Sequence, residues 1–88
     1  MSDLRLFITT TEKQSEVIME LMTEAFEDDG YAIATMEMDE KKDIWEASLY
    51  IDFDEEDEMR ARFAEVVAPH FPDATIEREV IPLSLIHI

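Results

Sequence analysis

The chain has 88 residues, of which 23 are acidic and 7 basic, so its formal net charge at pH 7 is −16. This length limits it to one domain. The absence of cysteine excludes a disulfide-stapled scaffold and thiolate metal sites, and a single glycine excludes glycine-rich phosphate loops. No apolar run reaches the roughly 18 residues of a membrane span. A hydrophobic content of 47% predicts a folded domain rather than a disordered acidic tail.

The charge also indicates which partners the chain should attract. We expect no binding to nucleic acid, because its phosphates would be repelled, and none to an anionic membrane for the same reason. A basic protein is the partner that this field would attract. The N-terminal residues lack the apolar segment of a signal peptide, so we expect a cytoplasmic protein.

The beginning of the chain predicts a strand followed by a helix. Residues 4–10 form a short apolar run rich in branched side chains, which is typical of a strand. Thr11 and Gln14 have the spacing of a capping box, and apolar residues then recur at helical spacing from about Glu12 to Glu27. Gly30 is suited to the left-handed conformation that commonly ends a helix.

The middle of the chain predicts a β-hairpin. Residues 31–38 read as the second strand, and the polar run 39–43 as a loop. Residues 44–53 read as the third strand, in which apolar and polar side chains alternate, so that one face should be buried. Trp45 and Phe53 belong to the face that is expected to be buried.

The last third predicts a second helix and a fourth strand. Asp54 is the expected N-cap, and the acids that follow it suit the positive end of the helix dipole. Pro69 should close this helix. Residues 74–81 then read as the fourth strand, and the six methionines of the chain are expected to fill gaps in the core.

This order of elements predicts an α+β, ferredoxin-like βαββαβ fold. The four-stranded antiparallel sheet should have the order 4-1-3-2, with both helices on one face. The other face should be open to solvent. The side chains expected on it are those of Arg5, Phe7, Thr9, Glu46, Ser48 and Tyr50.

No catalytic constellation is visible in the residues. The acidic run 52–58 lacks the glycine of a calcium loop and is better explained by helix capping. His70 and His87 are far apart and have no metal-binding motif around them, and no serine has a base at a fixed spacing. The strand that holds Trp45 and Tyr50 lacks the basic residues and glycine of RNA-binding strands. The sequence therefore predicts no catalytic residue, no cofactor-binding residue and no metal ligand.

Four segments carry a resemblance to a known family, and residues 41–47 are the most specific part. The segments are 4–11, 26–35, 39–48 and 71–82. Together, residues 1–82 resemble the start of the ribosomal protein L11 methyltransferase (PrmA) family in its alphaproteobacterial form. Residues 83–88 depart from that family, and we expect them to be foreign sequence at a truncated end.

The resemblance implies a ferredoxin-like substrate-recognition domain over residues 1–82. In the family, this domain recognises a basic ribosomal protein, and a separate domain uses S-adenosylmethionine to methylate its amino groups. The parent would then be an enzyme, whereas this chain would be inactive alone, without a cofactor, and monomeric. We expect contacts with the partner on the open sheet face and the 39–43 loop. The candidate contact residues are Phe7, Asp39, Glu40, Asp43, Glu46 and Tyr50.

The alternative is a stand-alone ferredoxin-like regulatory module that binds a small ligand. Such modules usually have a glycine-containing turn after the first strand, and the turn here, residues 9–12, has none. An acylphosphatase-like enzyme would need a basic loop at the same place, and the only basic residue there is Lys13, inside the predicted helix.

Overall fold

The computed structural model describes residues 3–81, with Glu27 described by its backbone only. The element order is βαββαβ, as predicted. The elements are β1 (Leu4–Thr10), α1 (Glu12–Phe26), β2 (Ala32–Asp39), β3 (Ile44–Ile51), α2 (Glu56–Val67) and β4 (Glu77–Val80), with short 3-10 turns at Glu27–Asp29 and Phe53–Glu55.

The four strands form one antiparallel sheet in the order β2-β3-β1-β4. This is the predicted order 4-1-3-2, read from the other edge. The central strand β1 places Leu6 opposite Leu49 of β3 on one side and opposite Arg78 of β4 on the other. The predicted α+β, ferredoxin-like arrangement is therefore confirmed.

The core lies between the sheet and the two helices. Alternate residues of β1 and β3 point to the same side, and both helices bury one apolar stripe against them. Full burial of each of the larger apolar side chains contributes roughly 1.5–3 kcal/mol to stability. The core residues are Leu4, Leu6, Ile8, Ile18, Met22, Phe26, Ala47, Leu49, Ile51, Met59, Phe63 and Val67.

The ends of α1 follow the prediction in part. The backbone N–H of Gln14 donates to Thr11 Oγ1 at 3.3 Å, which is one half of the capping box. The other half is replaced, because the Gln14 amide oxygen instead accepts a hydrogen bond from the Thr10 hydroxyl. Gly30 has a φ of 75°, the left-handed conformation expected after the helix.

The prediction of Asp54 as the N-cap of α2 is wrong. β3 ends at Ile51, two residues earlier than expected, and the backbone N–H of Glu55 donates to the Asp52 carbonyl at 3.0 Å to close a 3-10 turn. Asp54 lies within that turn, and α2 begins at Glu56 without a side-chain cap. The acids of its first turn are present as predicted. Phe53, expected in the core, is 42% exposed because the strand has already ended.

Several other apolar residues lie nearer the surface than predicted. Met36 and Met38 are 48% and 50% exposed, whereas Met22 and Met59 fill the core as expected. The two exposed methionines belong to β2, an edge strand whose open face has no described layer above it. Trp45, also expected in the core, is only half-buried near the end of the sheet. The fourth strand is shorter than the predicted 74–81, and residues 82–88 lie outside the described part of the chain.

Candidate functional site

The open face of the sheet holds the side chains that were predicted to lie there. Opposed residues of antiparallel strands share a face. The register places Arg5 beside Tyr50 and Glu79, and Phe7 beside Ser48. The described part of this face consists of Arg5, Phe7, Thr9, Glu46, Ser48 and Tyr50, joined by Ala32, Ala34 and Met36 of β2 and by Glu77 and Glu79 of β4.

Arg5 is the centre of this face. Its guanidinium donates from Nη1 to Glu46 Oε1 at 2.7 Å and to Ser48 Oγ at 2.9 Å, and from Nε to Glu79 Oε1 at 3.1 Å. The residue is only 8% exposed. Burial works against its charge, but the hydrogen bonds and charges of Glu46 and Glu79 outweigh that effect and raise the pKa of Arg5 above its ordinary value. The two carboxylates are therefore engaged within the fold.

Phe7 and Tyr50 lie beside this ion-pair network. The Arg5 guanidinium carbon is 4.1 Å from the centroid of the Phe7 ring, which is a cation–π contact. The guanidinium therefore covers part of the ring surface that a partner would otherwise meet. Tyr50, opposite Arg5 in the register, is half-buried. The structure thus brings Phe7, Glu46 and Tyr50 together, but two of the three already contact Arg5.

The predicted contact residues of the 39–43 loop lie at the end of the β2–β3 hairpin. Asp39 Oδ1 accepts hydrogen bonds from the backbone N–H groups of Lys41 and Lys42 at 3.0 and 3.2 Å, which holds the turn together. Glu40 is exposed. Asp39 therefore has a structural role that charge counting alone did not reveal.

Asp43 has a second structural role in this loop. Its φ is 54°, in the left-handed region that aspartate tolerates better than most residues. Its Oδ1 accepts a hydrogen bond from the backbone N–H of Glu12 at 3.1 Å. Asp43 therefore caps the first turn of α1 from a distant part of the chain. The sequence spacing of a local N-cap could not have indicated this contact.

The outer face of α1 carries a different kind of acidic surface. Glu12, Glu16, Glu20 and Glu24 follow one another at every fourth position, which aligns them along one side of a helix. All four are exposed, and within residues 3–81 none of their carboxylates has an ion-pair partner or a side-chain hydrogen bond. We call these four residues the α1 acidic stripe. None of the four is among the residues of the sheet and the 39–43 loop that were predicted from the sequence to contact the partner.

Two polar contacts hold the segment between α1 and β2 against α2 and the 3-10 turn that precedes it. Arg62 of α2 donates to Asp29 Oδ2 at 2.7 Å, and this hydrogen bond raises the pKa of Arg62. The Tyr31 hydroxyl donates a hydrogen bond to the Glu55 carboxylate. That bond, aided by desolvation and by the negative charge of Glu55, raises the pKa of Tyr31 to about 12.

A cleft of about 360 Å³ lies where the end of β1 meets α1 and the segment 70–74, and its walls include His70 and Asp73. Within residues 3–81, no group of three or more histidine, aspartate or glutamate side chains is placed to hold a metal ion. In the same part of the chain, no helix is long and apolar enough to cross a membrane.

Comparison with known proteins identifies the relatives of the chain. It is 57% identical to the ribosomal protein L11 methyltransferase of Rhizobium rhizogenes, and 54% identical to those of Sinorhizobium fredii and Rhizobium meliloti. Each match extends over 82 residues, or 93% of the chain. The chain matches the N-terminal part of ribosomal protein L11 methyltransferases. No family model and no solved structure matches it.

The resemblance to these alphaproteobacterial methyltransferases is therefore confirmed. The chain spans 28% of the length of each L11 methyltransferase that it matches. The relatives are named as enzymes, and most of their length lies outside the part that the chain covers. The comparisons give no support to the alternative of a stand-alone regulatory module.

Proposed function

We propose that the chain is the substrate-recognition domain of a ribosomal protein L11 methyltransferase, and that it docks the basic ribosomal protein. Two observations support this proposal. The curated relatives carry the name of that substrate, and the domain has a net charge of −16 that would attract a basic protein. The charge, with the unpaired α1 acidic stripe as its most regular feature, is the observation that carries the docking role.

The role of the domain would be to position the substrate rather than to react with it. The acidic field raises the rate of encounter with a basic protein, and docking then holds that protein within reach of a separate active site. The methylation of amino groups, with S-adenosylmethionine as methyl donor, would belong to the part of the relatives that the chain does not cover. We expect residues 1–82 alone to bind no cofactor and to transfer no methyl group.

We also propose where and in what form the domain acts. It would act as a monomer in the cytoplasm, where ribosomal proteins are made. It would meet its partner as a protein rather than through RNA, since phosphates are repelled by the acidic surface.

A titration against purified ribosomal protein L11 tests the docking role. At about 20 mM salt we expect weak but measurable binding by isothermal titration calorimetry. At about 300 mM salt we expect the affinity to fall more than tenfold, since exposed charges are screened beyond a Debye length of a few ångströms. An absence of binding at low salt, with circular dichroism showing a folded chain, would contradict the proposal.

Two matched glutamate variants test which part of the acidic surface attracts the ribosomal protein. Glu20 and Glu65 are both exposed helical glutamates, one in the α1 acidic stripe and one on α2. We expect Glu20→Gln to weaken binding at low salt more than Glu65→Gln. Equal effects would assign the attraction to the total charge and not to the stripe.

The expected inactivity is tested by a parallel assay with S-adenosylmethionine. Methyl transfer by the isolated chain would contradict it.

A further inference from the structure

The two edge strands of the sheet differ in how they are protected. β4 has four residues, and Glu77, Arg78 and Glu79 are all charged and exposed. Short, charged edge strands are a usual way to prevent another strand from pairing with a sheet. The β4 edge is therefore poorly suited to accept an additional strand.

β2 has none of these features over most of its length. It has eight residues, the first charge occurs at Glu37, and it contains neither proline nor lysine. Its pairing with β3 runs in regular register from Ala32 to Glu37, and the irregularity lies beyond, between Glu37 and Asp39. Within residues 3–81, no strand pairs with its outer side. The backbone N–H and C=O groups on that side are consequently available for hydrogen bonds.

An exposed apolar side chain accompanies this open edge. Met36 is 48% exposed and lies on the open face, opposite Glu46 of β3. Ala32 and Ala34 precede it on the same face and are too small to obstruct a neighbouring strand. Methionine adapts to the shape of an apolar partner, as surfaces that bind peptides often require.

We propose that the outer edge of β2 binds an extended, basic segment of the ribosomal protein as a fifth strand of the sheet. Backbone hydrogen bonds would supply the pairing and Met36 an apolar contact, as in other cases where a peptide adds a strand to a sheet. This inference rests on the proposed docking function and specifies where docking takes place.

The charge of the chain indicates which kind of segment would bind the outer edge of β2. A second copy of the chain would bring another net charge of −16 to the interface, and the two copies would repel each other. Acids lie on both sides of the strand along the chain, at Asp28 and Glu40, and the two lysines that follow Glu40 still leave residues 28–43 net negative. α1, which carries the acidic stripe on its exposed face, packs on β2 from the helical side. An extended segment that contains lysine or arginine is therefore favoured over a neutral or acidic one.

Three variants test the edge by titration with ribosomal protein L11 at low salt. Met36→Lys and Met36→Glu both remove the apolar contact, and we expect both to weaken binding, by about tenfold for the lysine variant and less for the glutamate variant. The matched control is Val80→Lys, because Val80 is 46% exposed on the opposite edge. We expect this control to change the affinity less than twofold. Equal effects of Met36→Lys and Val80→Lys would overturn the proposal.

Amide hydrogen exchange, measured by NMR with and without the ribosomal protein, identifies the pairing directly. We expect alternate amides of β2, those that do not bond to β3, to become at least about tenfold more protected in the complex, while the amides of β4 stay unchanged. Binding without protection of β2 would overturn this inference and leave the docking function intact, whereas no binding would overturn both. Protection of the outer β2 amides already present in the free chain, from a second copy or from residues 82–88, would also overturn it.

Discussion

Acidic side chains of the sheet and its β2–β3 hairpin differ from those on the outer face of α1 in whether they have partners within the fold. On the sheet, Glu46 and Glu79 bind Arg5, and in the hairpin Asp39 and Asp43 accept hydrogen bonds from backbone N–H groups. The acids of the α1 acidic stripe have no such partners within residues 3–81. The paired acids stabilise the fold, whereas the unpaired ones repel one another and extend a field into solvent. A net charge of −16 therefore does not indicate by itself which acids are available to a partner.

Removing Arg5 should have the largest effect. Arg5→Met leaves Glu46, whose side chain is only 13% exposed, without its cation. We expect the free energy of unfolding to fall by about 2–3 kcal/mol, somewhat below the value for a fully buried pair because the Glu79 side chain is 58% exposed. The midpoint of urea unfolding measures this change.

Arg78 provides the matched control for that variant. It pairs with Glu56 at 2.7 Å, but its side chain is 45% exposed. Surface pairs of this kind contribute about 0–1 kcal/mol, so Arg78→Met should lower the urea midpoint much less. If the two variants were equally destabilising, the distinction between the sheet side and the exposed surface would be wrong.

Asp43 should show the second-largest effect. Asp43→Ala removes the cap on Glu12 and places a residue with a Cβ, but without a local polar group, at a φ of 54°. We expect a loss of about 2 kcal/mol, shared between the cap and the backbone conformation. Asp43→Gly should lose about 1 kcal/mol because glycine tolerates that φ.

Asp43→Asn separates the cap from the charge of the carboxylate. Asparagine tolerates the left-handed conformation and keeps an oxygen that accepts from Glu12, so the loss should stay below about 0.5 kcal/mol. Thermal or urea unfolding of the three variants gives the order. An asparagine variant as unstable as the alanine variant would show that the charge, and not the cap, is what matters at Asp43.

The sequence predicted the fold well because the pattern of apolar residues is regular. Period-2 alternation in β3 and helical spacing in α1 fix which side chains enter the core, and the ferredoxin-like strand order follows from short connections and handedness. Phe53 and Asp54 were misplaced, since the apolar alternation continues past the point where β3 ends. Only the backbone hydrogen bond between Glu55 and Asp52 shows that the chain has already turned.

The candidate site was less predictable from the sequence. Phe7, Glu46 and Tyr50 do share the open face, but the pairing of Glu46 with Arg5 joins residues that are 41 positions apart. The bond from Glu12 to Asp43 spans 31 positions. Contacts of this kind depend on tertiary structure, and local spacing contains no signal for them. The exposure of Met36, by contrast, agrees with the predicted strand order 4-1-3-2, which already made β2 an edge strand.

A charge reversal within the α1 acidic stripe should have a smaller effect, and of opposite sign. Glu20→Lys places a cation between Glu16 and Glu24 at four-residue spacing, so two repulsive pairs become attractive. We expect a gain of about 0.5–1 kcal/mol at low salt, most of which is lost at about 0.5 M salt. Glu20→Gln, which removes only the repulsion, should gain about half as much. A loss of stability in Glu20→Lys would imply that the stripe has partners that its exposure conceals.

Tyr31 and Glu55 provide the subtlest test, because here an acid is held by a neutral hydroxyl group. The hydrogen bond favours the protonated phenol and raises the pKa of Tyr31 from its usual 10.0 to about 12. The folded pKa therefore lies above the unfolded one. The stabilisation from this bond is fully present below about pH 10 and is lost as the pH rises through about 12. Absorbance of the tyrosinate in a Tyr50→Phe variant, which leaves Tyr31 as the only tyrosine, measures the titration directly.

The charge of Glu55 accounts for only part of this shift, since its hydrogen bond to the Tyr31 hydroxyl is the larger cause. Glu55→Gln keeps an acceptor oxygen and removes the negative charge, so we expect the pKa of Tyr31 to fall between 10 and 12 in that variant. Circular dichroism at each pH shows whether the chain is still folded. A tyrosinate transition near pH 10 in the folded Tyr50→Phe chain would mean that the hydroxyl is solvated in solution. Glu55 would then be an acid without a partner, like those of the α1 acidic stripe, and not an acid that holds the fold together, as Glu46 and Asp43 do.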